Sequence, residues 1–350
     1  MALNPTTAFA VTDSSQVAEP RRVVLSLASR LEFSEERAGC AAVVLTELAT
    51  NLVKHARQGE ILMHPVCSGG GTAIGIEIVA VDKGPGIPDF ALSRRNGYST
   101  TGTLGHGLGA VERLADSLHL DTQPTGTVLA ARVLREKAAR PEAARPEDDA
   151  SLDVGAVQVS KAGEPVCGDG WGWRLRPGRL TMFVADGLGH GLGAHEAARV
   201  TSDVFARHHE RSPKELVEDA HAALRPTRGA AVAFIAIDLE FGIATYAGLG
   251  NIAGAILLTS GKRHNLVSHN GTAGHNAGRI QEFSYPLPSG AVLVMASDGL
   301  QTHWHLERYS GLQAKPATVI AATLYRDFSR RRDDVTVAVA KQRPPLTGHS

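Results

Sequence analysis

"GHGLGA" fills residues 105–110 and returns, letter for letter, at residues 189–194. The flanks separate the two copies. The first lies in "GTLGHGLGAVERLAD" (102–116), a glycine-rich run that passes into an amphipathic helix. The second lies in "LTMFVADGLGHGLGA" (180–194), where an apolar strand ends on Asp186 and Gly187 before the glycines begin. Backbone N–H groups at a glycine-rich helix start favour phosphate oxygens, so the first copy reads as an anion cradle. The second, coming after a carboxylate, reads as a tight turn into a helix. The shared letters then reflect glycine's backbone freedom used twice. Beyond this hexapeptide the two halves share no period or element order, which argues against an internal duplication.

The 350 residues exceed one ordinary core and fit two domains. Between them, "EKAARPEAARPEDDA" (136–150) is rich in Ala, Pro and charge and offers almost nothing to bury, so it reads as a linker. This gives a first domain at 1–135, a second at 151–342 and a short tail at 343–350. With 36 basic and 36 acidic residues the formal net charge is zero, and nucleic acid is not an expected partner. Cys40, Cys67 and Cys167 are far apart and form no C-x-x-C, which argues against a disulfide framework or a zinc knuckle. The N-terminus lacks a basic start followed by an apolar core, and runs such as "AAVAFIAI" (230–237) are too short to span a bilayer. A cytoplasmic protein with no membrane partner is the expectation.

In the first domain the periodicity predicts two helices, then strands, the glycine-rich loop, a helix and closing strands. In the helix ending near His55, Ala41, Leu45, Leu48 and Leu52 form an apolar stripe, while Glu47, Asn51 and Lys54 share another face. Further on, "VDKGPGIP" sets Asp82 at a strand end, with Gly84 and Gly86 letting backbone approach a ligand. The order E-x-x-x-N on a helix, D-x-G-x-G after a strand, then G-x-x-G-x-G-x-G into a helix resembles the GHKL ATPase family. Within it, "TELATNLVKHA" and "GTLGHGLGAVERLAD" are most similar to the serine kinases of anti-sigma and stressosome switches, of the RsbT type. The resemblance implies a GHKL α/β sandwich binding ATP and Mg²⁺. It assigns Asn51 to the Mg²⁺, Asp82 to the adenine amino group, Gly105, Gly107 and Gly109 to the triphosphate, and Glu47 to the attacking serine hydroxyl. Phosphoryl transfer needs mainly charge neutralisation and an aligned nucleophile, which this set supplies.

The second domain shows many strands and few helices, which points to a layered α/β/β/α sandwich. Four carboxylates recur at strand ends: Asp169 in "VCGDGW", Asp186 in "VADGLG", Asp298 in "VMASDGL" and Asp333 in "RRDDVTVAVA". Brought to one edge they would repel strongly unless divalent cations neutralised them, and all-oxygen ligation suits Mg²⁺ or Mn²⁺. The set G-D, A-D-G-x-G-H-G, S-D-G and D-D-V-T resembles the PPM-type metal-dependent serine/threonine phosphatases, in their SpoIIE-like, RsbX-like bacterial branch. The resemblance implies two Mn²⁺ or Mg²⁺ ions held by Asp186, the Gly187 carbonyl, Asp169, Asp298 and Asp333. "CGDGW" carries no nearby arginine for the phosphate; Arg174 is the nearest candidate.

The pair of resemblances implies a bifunctional switch enzyme that phosphorylates and dephosphorylates a STAS-domain antagonist or stressosome-type protein, with a sigma-factor regulator as a further partner. A phosphatase with a nucleotide-sensing first domain, and an ATP-dependent binding module that sequesters a partner, are equally compatible with Glu47. No G-x-S-x-G, H-E-x-x-H or GxxxxGK[ST] motif offers another chemistry.

Overall fold

The computed structural model describes residues 6–86, 107–136 and 152–342. The linker assigned to 136–150, apart from Glu136, and the 343–350 tail lie outside the described residues. The chain divides into two compact units, the first chiefly Thr6–Ser68 and Thr72–Glu147 and the second chiefly Asp148–Ser350.

The first unit runs β1 (Thr7–Ala10), α1 (Ala18–Arg30), α2 (Glu35–His55), β2 (Glu60–Cys67), β3 (Ala73–Val81), α3 (Gly107–Leu114), β4 (Ser117–Gln123) and β5 (Gly126–Leu134). The strands form one sheet in the order β1-β2-β3-β5-β4, antiparallel at every junction. Alternate residues of a strand face opposite sides. Ile61 and Met63, Ile76, Ile78 and Ala80, and Leu129, Ala131 and Val133 therefore all face the helices, where they pack against Val24, Ala28, Ala41, Leu45, Leu48 and Leu52. Ser34 starts α2 by accepting from the Arg37 N–H at 3.2 Å. Arg37 then fixes that end of α2 to the sheet. Its Nε donates to the Leu134 carbonyl at 2.9 Å and its Nη2 pairs with Asp116, which also accepts from the Leu134 N–H at 2.8 Å. Both side chains are buried, so this pair sets the register of α2 rather than decorating its surface.

The second unit contains β6 (Leu152–Val159), β7 (Asp169–Arg176), β8 (Arg179–Gly187), α4 (Leu192–His208), α5 (Pro213–Leu224), β9 (Ala230–Asp238), β10 (Ile243–Leu249), β11 (Ala253–Leu257), β12 (Arg263–Asn265), β13 (Gly271–Thr272), β14 (Asn276–Ala277), β15 (Phe283–Pro286), β16 (Val292–Ala296), α6 (Ala317–Phe328) and β17 (Val335–Gln342). One five-stranded sheet has the order β15-β10-β9-β8-β7, a second β12-β11-β16-β17-β6, and β13 pairs with β14. Strand alternation builds the layers. Leu180, Met182 and Val184 of β8 and Ala233, Ile235 and Ile237 of β9 point between the sheets, onto Leu293, Met295, Ala338 and Ala340. Phe183, Val232 and Phe234 point the other way, onto Phe205 of α4 and Leu216, Val217 and Leu224 of α5. Helix α6 packs on β6 and β17, outside the second sheet. The result is the α/β/β/α sandwich.

Six strands among the described residues escape the sequence reading: β1, β7 and the short β12, β13, β14 and β15. β1 has only four residues. β7 begins on Asp169 itself, in an Asp-Gly pair whose composition favours turns.

Candidate functional site

In the first unit, Glu47 and Asn51 lie one turn apart on α2, both part-buried. The first residue of α3 faces them. A Cβ added to Gly107 would lie 2.8 Å from Glu47 Oε2 and 3.7 Å from Asn51 Oδ1, so only glycine brings the α3 start this close to both polar groups. Gly109 lies within α3 and is buried. Residues read as loop are thus already helical, because Leu108, Val111 and Leu114 supply an apolar face to the core. Asp82 follows β3, and its Oδ1 accepts from the Gly84 N–H at 2.6 Å. Its backbone exchanges two hydrogen bonds with Thr127 of β5, which hold it at the sheet end. Gly86 has φ +79°, a conformation that favours glycine. Gly105 lies outside the described residues.

In the second unit, the carboxylates come from both sheets. Asp169 and Asp186 are direct cross-strand partners at the ends of β7 and β8. Asp298 follows β16, and Asp333 and Asp334 precede β17, of the opposing sheet. The two edges are tied together: Ser297 Oγ donates to Asp169 Oδ2 at 2.6 Å and accepts from the Thr336 N–H at 2.9 Å. Gln158 Nε2 donates to the Asp169 carbonyl at 2.5 Å. Gly187, whose N–H donates to the Gly168 carbonyl at 3.1 Å, lies against the first turn of α4, where a Cβ would strike the Ala194 backbone. Arg174 lies elsewhere, paired with Thr181 toward the far end of the β7–β8 ladder from the Asp169–Asp186 pair.

Electrostatics confirm the crowding. Burial, then the Asp298 and Asp333 charges, push the Asp186 carboxyl up to about 7. Burial, then Asp186, hold Asp169 well above the usual carboxylate range, against the opposing hydrogen bond from Ser297. Asp298 is raised by burial and by Asp333, with Arg330 and the Asn251 side chain, 2.8 Å away, pulling the other way. Cys167, two residues from Asp169, is buried, and its thiol is pushed up by burial and by the Asp169 and Asp334 charges. A protonated thiol of this kind is a poor nucleophile, which removes cysteine chemistry from the site.

Residues 10–133 match the histidine kinase-like ATPase domain family, and residues 176–343 match the stage II sporulation protein E (SpoIIE) family. The chain joins a histidine kinase-like ATPase domain to a SpoIIE-family phosphatase domain. It is 35% identical over 102 residues to the serine/threonine-protein kinase RsbT of Bacillus subtilis (strain 168), covering 29% of this chain and 75% of that protein. It is 24% identical over 182 residues to the phosphoserine phosphatase RsbX of the same organism, covering 51% of this chain and 89% of that protein. A solved chain described under "The bacterial stressosome: a modular system that has been adapted to control secondary messenger signaling" superposes with a TM-score of 0.51 at 28% identity, covering 54% of this chain and 99% of that one.

The donor set of the SpoIIE-family domain fits divalent cations. Asp334, which the sequence reading passed over for Asp333, is buried; its Oδ1 accepts from the Lys161 N–H at 2.8 Å, and its Oδ2 has no hydrogen-bond partner. An orphaned buried carboxylate oxygen beside mutually repelling aspartates is what cation ligation relieves. Among the described residues, no three His, Cys, Asp or Glu side chains are grouped as they stand so as to hold a metal ion. Ser297 and Asp334 were readable in "ASDG" and "RDDV", but only the packing of β17 on β7 and the Ser297–Asp169 hydrogen bond give them meaning. No helix among the described residues is long and apolar enough to cross a membrane.

Proposed function

We propose that the chain is a bifunctional partner-switching regulator: an ATP-dependent protein serine kinase and a metal-dependent phosphoserine/phosphothreonine protein phosphatase acting on STAS-domain antagonist or stressosome-type proteins in the cytoplasm. The observation that carries this reading is the presence, in one chain, of the Glu47–Asn51–Gly107 approach and of an aspartate edge fed by two sheets.

In the second unit Asp186, the Gly187 carbonyl, Asp169, Asp298 and Asp333 would hold two Mn²⁺ or Mg²⁺ ions. Such ions supply positive charge to a phosphate ester and make water more acidic. Ser297 orients Asp169 through its hydrogen bond, and Asn251 restrains Asp298. In the first unit Asn51 would contact the ATP-bound Mg²⁺ and Asp82 the adenine. Glu47, one turn before Asn51, would orient the serine hydroxyl and accept its proton. Gly84, Gly86, Gly105, Gly107 and Gly109 would admit the nucleotide close to backbone. The names of RsbT and RsbX, a serine/threonine kinase and a phosphoserine phosphatase, support joining the two activities.

The test is incubation of the full chain with γ-labelled ATP and a co-encoded STAS protein, with and without Mn²⁺. Label should enter the partner and then leave it when Mn²⁺ is added. A chain that binds ATP but labels no partner, even with Asp186→Asn blocking release, would instead be a phosphatase with a nucleotide-sensing domain.

A further inference from the structure

A site that removes phosphate from a protein must hold a dianion beside a row of aspartates, and metals alone do not orient its oxygens. Arg174, at the wrong end of β7, cannot help. The charge of Arg330 acts on Asp298 and pulls its carboxyl down.

Arg228 is different. It belongs to the turn leading into β9, held by two bonds through Thr227, whose Oγ1 donates to the Leu224 carbonyl at 2.7 Å and accepts from the Gly229 N–H at 3.0 Å. The Gly229 carbonyl in turn accepts from the Leu188 N–H at 3.0 Å, and Ala230 pairs with Gly187 in the β8–β9 ladder. This turn is therefore stitched to the segment that follows Asp186. The guanidinium lies across that segment. A Cβ on Gly193 would sit 2.6 Å from Arg228 Nε and 2.7 Å from its Cζ, and one on Gly189, where φ is +87°, 3.5 Å from Nη1. Gly189 and Gly193 of the second GHGLGA thus leave room for an arginine side chain. That arginine is exposed, and among the described residues it has no hydrogen-bond or ion-pair partner. A guanidinium on a tied-down turn, with its donors unspent, matches the geometry of a phosphate, which it can grip through two parallel N–H···O bonds.

We infer that Arg228, bedded on Gly189 and Gly193, binds the phosphate of the phosphoprotein substrate at the aspartate edge. This rests on the reading of the second unit as a phosphatase.

The test uses the full chain with saturating Mg²⁺, and two probes: binding of inorganic phosphate by calorimetry, and hydrolysis of a phosphoserine peptide. Arg228→Gln should weaken phosphate binding and raise KM by roughly ten- to a hundred-fold, as expected for a hydrogen bond to a charged group, with a smaller change in kcat. Arg228→Lys should fall between. Gly193→Ala keeps the guanidinium but drives a methyl into it, and should share the loss; combined with Arg228→Gln it should add nothing further. A folded Arg228→Gln protein with wild-type phosphate affinity and KM would overturn the inference. So would a loss in Gly193→Ala that adds in full to that of Arg228→Gln. If the wild type binds inorganic phosphate yet hydrolyses no phosphoester, the phosphatase reading fails, while the calorimetric comparison still decides Arg228.

Discussion

Asp186 shows what single side chains contribute here. It faces Asp169 across the strand pair; burial first, then the charges of Asp298 and Asp333 from the other sheet, hold its carboxyl near 7. Asp186→Asn or Asp298→Asn should lower phosphate release from a phosphoserine protein by roughly a hundredfold or more, given the several kcal/mol that bound metals supply to such reactions. ATP binding, measured by calorimetry, should survive both changes. The raised Asp186 carboxyl also has a consequence for stability in metal-free buffer. A carboxyl that binds its proton more tightly folded than unfolded favours the native state at low pH, and loses that advantage as pH climbs from its unfolded value of 3.8 to about 7. The Tm of Asp186→Asn minus that of the wild type should therefore grow between pH 4 and 7 and level off above. A flat difference would mean that neither burial nor its neighbours raise the Asp186 carboxyl.

At the scale of elements, α2 carries two polar residues whose spacing separates their effects. Glu47→Ala should keep much of the nucleotide affinity but lose transfer to a partner serine by roughly two to four powers of ten, because an orienting carboxylate acts mainly in the transition state. Asn51→Ala should impair both affinity and transfer. Calorimetry beside a transfer assay, in an Asp186→Asn background, separates the two. The same helix shows what could be read in advance: its apolar stripe, Ala41, Leu45, Leu48 and Leu52, is fully or nearly buried, as its period required. The strands of alternating or continuous apolar residues were legible for the same reason. β7 was not, because "DGWGWRLR" opens with a turn-forming pair and two glycines. Its clue was Trp171, Trp173 and Leu175 at every second place, all packed on the core between the sheets. The aspartates could be found individually as strand ends. Their tethering by Ser297, the buried Asp334 and the position of Arg228 depend on contacts across 39 to 173 residues of sequence or on a turn's placement, which local patterns do not encode.

For the whole molecule, the decisive fact is that the aspartate edge draws on both sheets of the second unit. Ions held there would clasp one sheet to the other, so their binding free energy becomes folding free energy of the sandwich. At a free cation concentration a hundred times the dissociation constant, the gain is about 2.7 kcal/mol. Chelation should lower the midpoint of the unfolding transition that reports this unit, and Asp186→Asn should shrink the shift. The same clasp would govern how long the protein survives. With ions removed, a protease should cut first where the sheets part, near the segments after β8 and before β17, and restoring Mn²⁺ should lengthen the half-life of the intact chain. A cell short of manganese would then lose the enzyme by degradation as well as by silence.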